Sequence, residues 1–182
     1  MQVIKYSLII PVYKNSDSLF ELCQQVSLLS CVKELEVIFV VDGSPDDSFT
    51  LLKELLPHQE FQSTLILLSR NFGSFAAIRY GLECSKGQYS AVMAADLQEP
   101  INLVSELFER LNDNKFDIVF GCRISRKDGL SSVFSHVFWA FYRRYIVPGI
   151  PSGGVDIFAC NQSVKNNLLK LHESNTSLIS QL

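Results

Sequence analysis

The stretch Val37-Ile38-Phe39-Val40-Val41-Asp42-Gly43-Ser44-Pro45 decides how this chain folds. Five consecutive β-branched or aromatic residues leave no polar position for a solvent-facing side. Such a run predicts a strand covered on both faces, as in parallel sheets flanked by helices. Asp42-Gly43-Ser44-Pro45 then ends it as a loop by composition, so a buried strand delivers an acid to its own carboxyl end.

The same arrangement recurs on either side. Ser7 to Val12 reads as a short buried strand, stopped by Pro11 and by Lys14-Asn15-Ser16. A helix follows, with Ser18 as the expected cap, Glu21 as its reciprocal partner, and Leu19, Leu22, Cys23, Val26 and Leu29 at helical spacing. After the central strand, Asp47 or Ser48 is expected to cap a helix whose apolar face is Phe49, Leu52, Leu55 and Leu56, ended by Pro57. Leu65 to Leu68 is the third strand, and Arg70-Asn71-Phe72-Gly73 its loop. Ser74 to Leu82 reads as a helix whose small residues, including Ala76 and Ala77, let it lie close to a sheet; Arg79 is expected to face solvent. Tyr89 to Ala94 is a fourth strand, Asp96 to Pro100 a loop, Leu103 to Leu111 a helix, and Phe116 to Phe120 a fifth strand.

Five strands alternating with four helices predict an α/β fold built on a mostly parallel, Rossmann-like sheet. Ligands of such sheets lie across the carboxyl ends of the strands. Asp42, Arg70, Asp96 and Arg123 each follow a predicted strand and therefore share one rim. The last third differs: Leu130 to Val147 is an aromatic-rich helix ending in Arg143-Arg144, a loop runs through Gly153-Gly154, Val155 to Ala159 is a short strand, and Asn161 to Leu171 a helix.

Charge narrows the function. Residues 1–120 hold nine basic and sixteen acidic side chains, whereas residues 121–147 hold five basic side chains against Asp128. A local basic patch suits a small anionic ligand or a membrane face and argues against nucleic acid as a partner. No uncharged apolar run reaches 18 residues, so the sequence contains no membrane-spanning candidate. The five cysteines are odd in number, widely spaced and set mostly among apolar residues, as buried thiols in a reducing compartment are. His58, His136 and His172 lack metal-ligand spacing.

Taken in order, Ile9-Ile10-Pro11-Val12-Tyr13, Phe39 to Asp46, Ser69-Arg70-Asn71-Phe72-Gly73 with Ala77 and Gly81, and Ala95-Asp96-Leu97-Gln98-Glu99-Pro100 resemble the inverting family 2 glycosyltransferases of the GT-A fold. The likeness is to the branch of dolichyl-phosphate mannose synthases and bacterial polyprenyl-phosphate sugar transferases, and it covers nearly the whole chain. It implies a hexosyltransferase-like enzyme of cell-envelope biogenesis that takes a nucleoside-diphosphate sugar as donor and a polyprenyl phosphate as acceptor. It also implies Mg²⁺ or Mn²⁺ as cofactor and a place on the cytoplasmic side of the cytoplasmic membrane. Residues 1–126 correspond to a donor-binding core and 127–182 to an incomplete acceptor-side segment. The ordered-looking end at Ser180-Gln181-Leu182 carries the expectation of a chain cut off before its enzyme is complete.

Donor contacts are expected from Pro11, Tyr13, Asp42, Arg70, Ala95, Asp96 and Gln98. Asp42 can accept a base or ribose hydrogen bond, or can merely close an Asx turn. The family often has two consecutive acids here, whereas Val41 precedes Asp42. Asp96 is the expected metal ligand, because a leaving diphosphate needs its charge neutralised where it develops. Relatives often carry Asp-Ala-Asp-Leu-Gln; Ala94-Ala95-Asp96-Leu97-Gln98 keeps only the second acid, so Gln98, phosphate oxygens and water would complete the sphere. Arg123 and Arg126 resemble the family's diphosphate and acceptor-phosphate contacts. Asp156 is a candidate base for a hydroxyl acceptor, or an orienting group for a phosphate, which is already ionised. Val133 to Tyr145 could meet a membrane surface or pack on the protein. Two other readings stay open: sugar-hydroxyl extension in lipopolysaccharide or capsule assembly, and a nucleotide-sugar-binding or assembly domain without turnover.

Overall fold

The computed structural model describes residues 3–121 and 157–171. Strand β1 spans Tyr6–Val12, β2 Leu35–Val41, β3 Gln62–Leu67, β4 Tyr89–Val92, β5 Ile118–Gly121 and β6 Ile157–Asn161. They form one sheet in the order β3-β2-β1-β4-β6-β5. β2 is buried at all seven positions, as its unbroken apolar run requires. It pairs in parallel with β1 and β3, and β1 pairs in parallel with β4.

The far side of the sheet is where the structure goes beyond the sequence reading. β6 enters between β4 and β5 and runs antiparallel to both. Ile157–Asn161 is thus a strand of the same sheet as β1 to β5. Several strand limits also move: β2 begins at Leu35 rather than Val37, and β4 ends at Val92 rather than Ala94. β3 begins at Gln62, before the apolar Leu65, because main-chain pairing with β2 continues through exposed polar residues at the sheet edge. β5 begins at Ile118, where pairing to Cys160 starts; Phe116 is 54% exposed and lies outside the strand.

Among the described residues five α-helices cover the sheet: α1 Ser16–Ser27, α2 Ser48–Leu55, α3 Ser74–Cys84, α4 Asn102–Asn112 and α5 Gln162–Lys170. Alternate strand residues face opposite layers. Leu8, Ile10, Val37, Phe39 and Val41 join Leu22, Leu52, Leu107 and Phe108 of α1, α2 and α4 in one core. On the other face, Ile9, Val92 and Phe158 pack with Ile78, Leu82 and Leu168, and Ile38 and Val40 with Ala77. Truncating a fully buried side chain such as Phe39 to alanine would cost about 3–5 kcal/mol. The close approach expected of α3 is made through Ala77 and Gly81 rather than Ala76, which is exposed. A Cβ on Gly81 would meet Ile9 Cγ2 at 2.5 Å.

The expected cap of α1 is corrected, and that of α2 holds in position only, at Asp47. α1 starts at Ser16, so Ser18 lies inside the first turn, and its hydroxyl is 3.0 Å from the Asn15 carbonyl and 2.7 Å from the Ala95 carbonyl. Glu21 instead accepts from Gln25 Nε2 one turn on. For α2, neither Asp47 nor Ser48 caps with its side chain; the Ser48 N–H donates to Asp46 Oδ1 at 3.2 Å. Arg79 does not simply face solvent either. Its guanidinium donates to the Leu168 and Leu169 carbonyls at 3.1 and 2.6 Å, satisfying carbonyls at the end of α5.

The amino ends of the strands are closed by buried polar groups that satisfy one another. Glu36 accepts from the Ser7 hydroxyl at 2.6 Å and from the Lys86 amide, while Lys165 donates to the Ser85 carbonyl and hydroxyl, both at 3.0 Å. Burial draws the Lys165 pKa below its ordinary value, with Cys160 and Glu36 opposing. These contacts fasten α5 to the turn after α3, and they leave the open chemistry to the opposite edge.

Candidate functional site

At the carboxyl ends of the parallel strands the loops separate into a cleft of about 320 Å³, lined by Pro11, Val12, Tyr13, Asn15, Asp42, Asn71, Gly73, Ser74, Ala94, Ala95 and Asp96. The volume falls in the range of small-ligand sites. Its position follows from topology. The chain builds β1, β2 and β3 outward in one direction, then returns to place β4 on the other side of β1, so the loops on either side of β1 diverge.

Asp42 forms the floor. It is 2% exposed, and its carboxylate holds the loop after β3: Oδ1 accepts the Phe72 N–H at 2.7 Å and Oδ2 the Gly73 N–H at 2.8 Å. The same Gly73 N–H lies 2.9 Å from Asn71 Oδ1. Asp42 thus does more than turn its own backbone; it joins the ends of β2 and β3. Gly43 makes the junction possible. Its φ is +58°, and a Cβ there would fall 2.3 Å from the Arg70 carbonyl carbon.

The opposite wall is Ala94-Ala95-Asp96. Ala95 is buried and Asp96 exposed at the lip. Asp96 Oδ1 accepts the Gln98 N–H at 3.2 Å, closing a tight turn in which Leu97 has a φ of +56°. A leucine rarely takes this left-handed conformation, and its side chain packs on the core in compensation. Among the described residues no group of three or more His, Cys, Asp or Glu side chains could hold a metal. Any ion at Asp96 therefore draws the rest of its sphere from elsewhere, a manner of binding that suits Mg²⁺ with phosphate oxygens and water. Among the described thiols, burial pushes Cys23 up to about 11 and Cys160 up to about 12.

The β1 side carries Tyr13, 41% exposed, with Lys14 Nζ 5.5 Å from its ring centroid. Lys14 has a φ of +57°. Tyr13 donates its N–H to Asn15 Oδ1 at 3.0 Å. Of the residues expected to contact a donor, Pro11, Tyr13, Asp42, Ala95 and Asp96 line the cleft together. Gln98 is exposed and outside the lining, joined to Asp96 only through its N–H. Arg70 is exposed outside the lining, its guanidinium carbon 4.8 Å from the Phe72 ring centroid. Arg123, Arg126 and Asp156, and the Val133 to Tyr145 segment, lie outside the described residues. Asn15, Asn71 and Ser74 also line the cleft, although the sequence reading did not single them out; each stands within a few residues of a strand's carboxyl end.

Residues 7–170 match the family model described as glycosyl transferase family 2. An undecaprenyl-phosphate 4-deoxy-4-formamido-L-arabinose transferase of Klebsiella pneumoniae (strain 342) is 33% identical over 130 residues, 70% of this chain and 39% of that protein. The protein of the same name from Edwardsiella ictaluri is 31% identical over 93% of this chain and 53% of its own length. A dodecaprenyl-phosphate galacturonate synthase of Rhizobium johnstonii is 29% identical over 71% of this chain and 39% of that protein. The chain spans about half the length, or less, of these curated relatives. In fold it is similar to a mannosyltransferase from Pyrobaculum calidifontis solved with GDP-Man and Mn²⁺, with a TM-score of 0.72 at 16% identity over 98% of this chain and 50% of that one. The sheet with helices on both faces is the GT-A arrangement expected from the sequence, and the chain belongs to glycosyl transferase family 2.

Proposed function

We propose that this chain is the donor-binding portion of an inverting transferase that moves a sugar from a nucleoside diphosphate to a polyprenyl phosphate. The observation that carries the reading is the convergence of Asp42 and Asp96 on one cleft at the strand ends, with Pro11, Tyr13 and Ala95 between them. The acceptor class rests on the relatives above, which are named for undecaprenyl and dodecaprenyl phosphates.

In this reading the nucleoside lies over Asp42 and the β1 loop, and the diphosphate points toward Asp96. Asp42 has both carboxylate oxygens engaged by amides, so a nucleoside contact there uses remaining lone pairs. Asp96, with Gln98 beside it, would hold Mg²⁺ or Mn²⁺, and the ion would supply charge neutralisation at the departing diphosphate. An oxygen of the acceptor phosphate attacks the anomeric carbon; the bond to the diphosphate oxygen breaks, and its electron pair leaves with the nucleoside diphosphate. The acceptor is already ionised, so no base is required. Arg123 and Arg126 are assigned to the phosphates and Asp156 to acceptor orientation. The enzyme would work at the cytoplasmic membrane face where its lipid acceptor resides; among the described residues no helix is long and apolar enough to cross a membrane.

The test offers a labelled panel of UDP- and GDP-sugars, with Mn²⁺, to undecaprenyl phosphate and to glycan acceptors. A sugar lipid is the product expected wherever transfer occurs. Transfer only to glycan hydroxyls would overturn the acceptor class, and failure to bind any UDP- or GDP-sugar would overturn the donor assignment.

A further inference from the structure

We propose that Asp46 and Ser44, neither of which lines the cleft, form a strap that positions its β1 wall for the donor. The Ser44 hydroxyl donates to Asp46 Oδ1 at 2.6 Å and accepts the Lys14 N–H at 2.7 Å. Asp46 Oδ2 accepts the Ser16 N–H at 3.1 Å, and Oδ1 also takes the Ser48 N–H at 3.2 Å. One carboxylate on the β2 loop thus holds both sides of Asn15 in the β1 loop, thirty residues away, and anchors the first turn of α2 as well.

The strap answers a specific need. Lys14 is left-handed, a conformation that costs a non-glycine residue free energy and persists only when its surroundings impose it. Its amide is fixed by Ser44, and the neighbouring Ser16 amide by Asp46; between them the Asn15 side chain accepts the Tyr13 N–H. Tyr13 and Asn15 are the cleft residues that depend on this arrangement. On its far side the same turn is joined to the Asp96 wall, since the Ser18 hydroxyl lies 2.7 Å from the Ala95 carbonyl. The two walls are therefore spaced through one hydrogen-bonded path running Asp46, Ser16, the first turn of α1, Ser18 and Ala95. Burial opposes ionisation of Asp46, but bonds from Ser44 and from the Ser16 and Ser48 amides outweigh it and keep the carboxyl well below the usual range, so the strap is charged at neutral pH.

The chemistry distinguishes the two partners. Asp46→Asn retains one oxygen but turns an NH₂ toward a donor, which breaks one of the links. Ser44→Ala removes the acceptor of Lys14 and leaves the Ser16 link. Ser44→Thr keeps the hydroxyl. Because both residues act through one loop conformation, the double variant Ser44→Ala/Asp46→Asn should lose little more than the more damaging single change.

This inference rests on reading the cleft as a donor site, and its test separates the two claims. Amide hydrogen exchange in the nucleotide-free protein reads the strap directly. Titration with UDP and GDP, with thermal midpoints recorded alongside, reads its consequence. The expected result is faster exchange at Lys14 and Ser16 in Ser44→Ala and Asp46→Asn, affinity weaker by on the order of tenfold, non-additivity in the double variant, and recovery in Ser44→Thr. Unchanged exchange would overturn the strap whatever the protein binds. Faster exchange with wild-type affinity, or an affinity loss that Ser44→Thr fails to restore, would overturn positioning while leaving the donor reading intact. A wild-type protein that binds neither UDP nor GDP would overturn the donor reading, and positioning with it.

Discussion

Asp42 and Gly73 are thirty-one residues apart in the chain, yet the Gly73 N–H donates to Asp42 Oδ2 at 2.8 Å. With the Phe72 N–H on the other oxygen, this bond fixes where the loop after β3 stands over the cleft. The acid at the end of β2 is thus a structural support as well as a candidate ligand.

Asp42→Ala should therefore lower stability as well as nucleotide affinity. Two part-buried amides lose a charged acceptor, although the Gly73 N–H keeps Asn71 Oδ1, which sets a loss of about 1–3 kcal/mol. Asp42→Asn, which keeps one acceptor oxygen, should lose less. Urea denaturation of the two variants beside the wild type checks the order; an Asp42→Ala protein of wild-type stability would show that the loop does not depend on this carboxylate.

Gly43→Ala should be among the most damaging single-methyl additions in the chain. The new carbon would overlap main-chain atoms of Arg70 and Asn71, which have no rotamer by which to withdraw, and φ of +58° is unfavourable for alanine. We expect a loss of at least about 2 kcal/mol. The cleft-side amides of Phe72 and Gly73 should shift in NMR spectra, because relief of the overlap moves the segment that Asp42 holds. A variant with a wild-type unfolding midpoint would contradict the close approach.

Acid should dismantle the Asp46 network in a defined direction. Its folded pKa lies below the unfolded value of about 3.9. The stability it contributes is thus fully present above that value and is lost as pH falls through the folded pKa. The stability difference between wild type and Asp46→Asn should be constant from about pH 7 to pH 5 and shrink below about pH 4. Urea midpoints measured across that series test it; a difference that grows on acidification would have the wrong sign.

The elements of this fold were legible where a single physical demand governed a whole segment. The run Val37 to Val41 is apolar throughout because both faces of β2 are covered, and Val104, Leu107, Phe108 and Leu111 recur at helical spacing because one side of α4 is buried. Of the expected rim, Asp42 and Asp96 line one cleft at the strand ends, whereas Arg70 stands outside its lining and Arg123 outside the described residues. Pairing between distant segments was not legible. Nothing local in Ile157 to Asn161 specifies insertion between β4 and β5, because either direction buries the same side chains. Arg79 reads as a surface cation in its own helix, and only the approach of α5 reveals the carbonyls it satisfies. Ser18 looked like a cap because its acceptor, Ala95, is seventy-seven residues away.

The measurement that bears most directly on the donor site is a calorimetric titration of UDP and GDP with and without Mn²⁺, in the wild type and in Asp96→Ala. Asp96 is exposed and lines the same cleft as Asp42, and in the proposed function it holds an ion shared with a diphosphate. We predict that Mn²⁺ tightens binding of the preferred nucleotide by at least about tenfold in the wild type. In Asp96→Ala the metal-free affinity should persist while the enhancement disappears. Absence of nucleotide binding, or an identical response to Mn²⁺ in both proteins, would contradict the account.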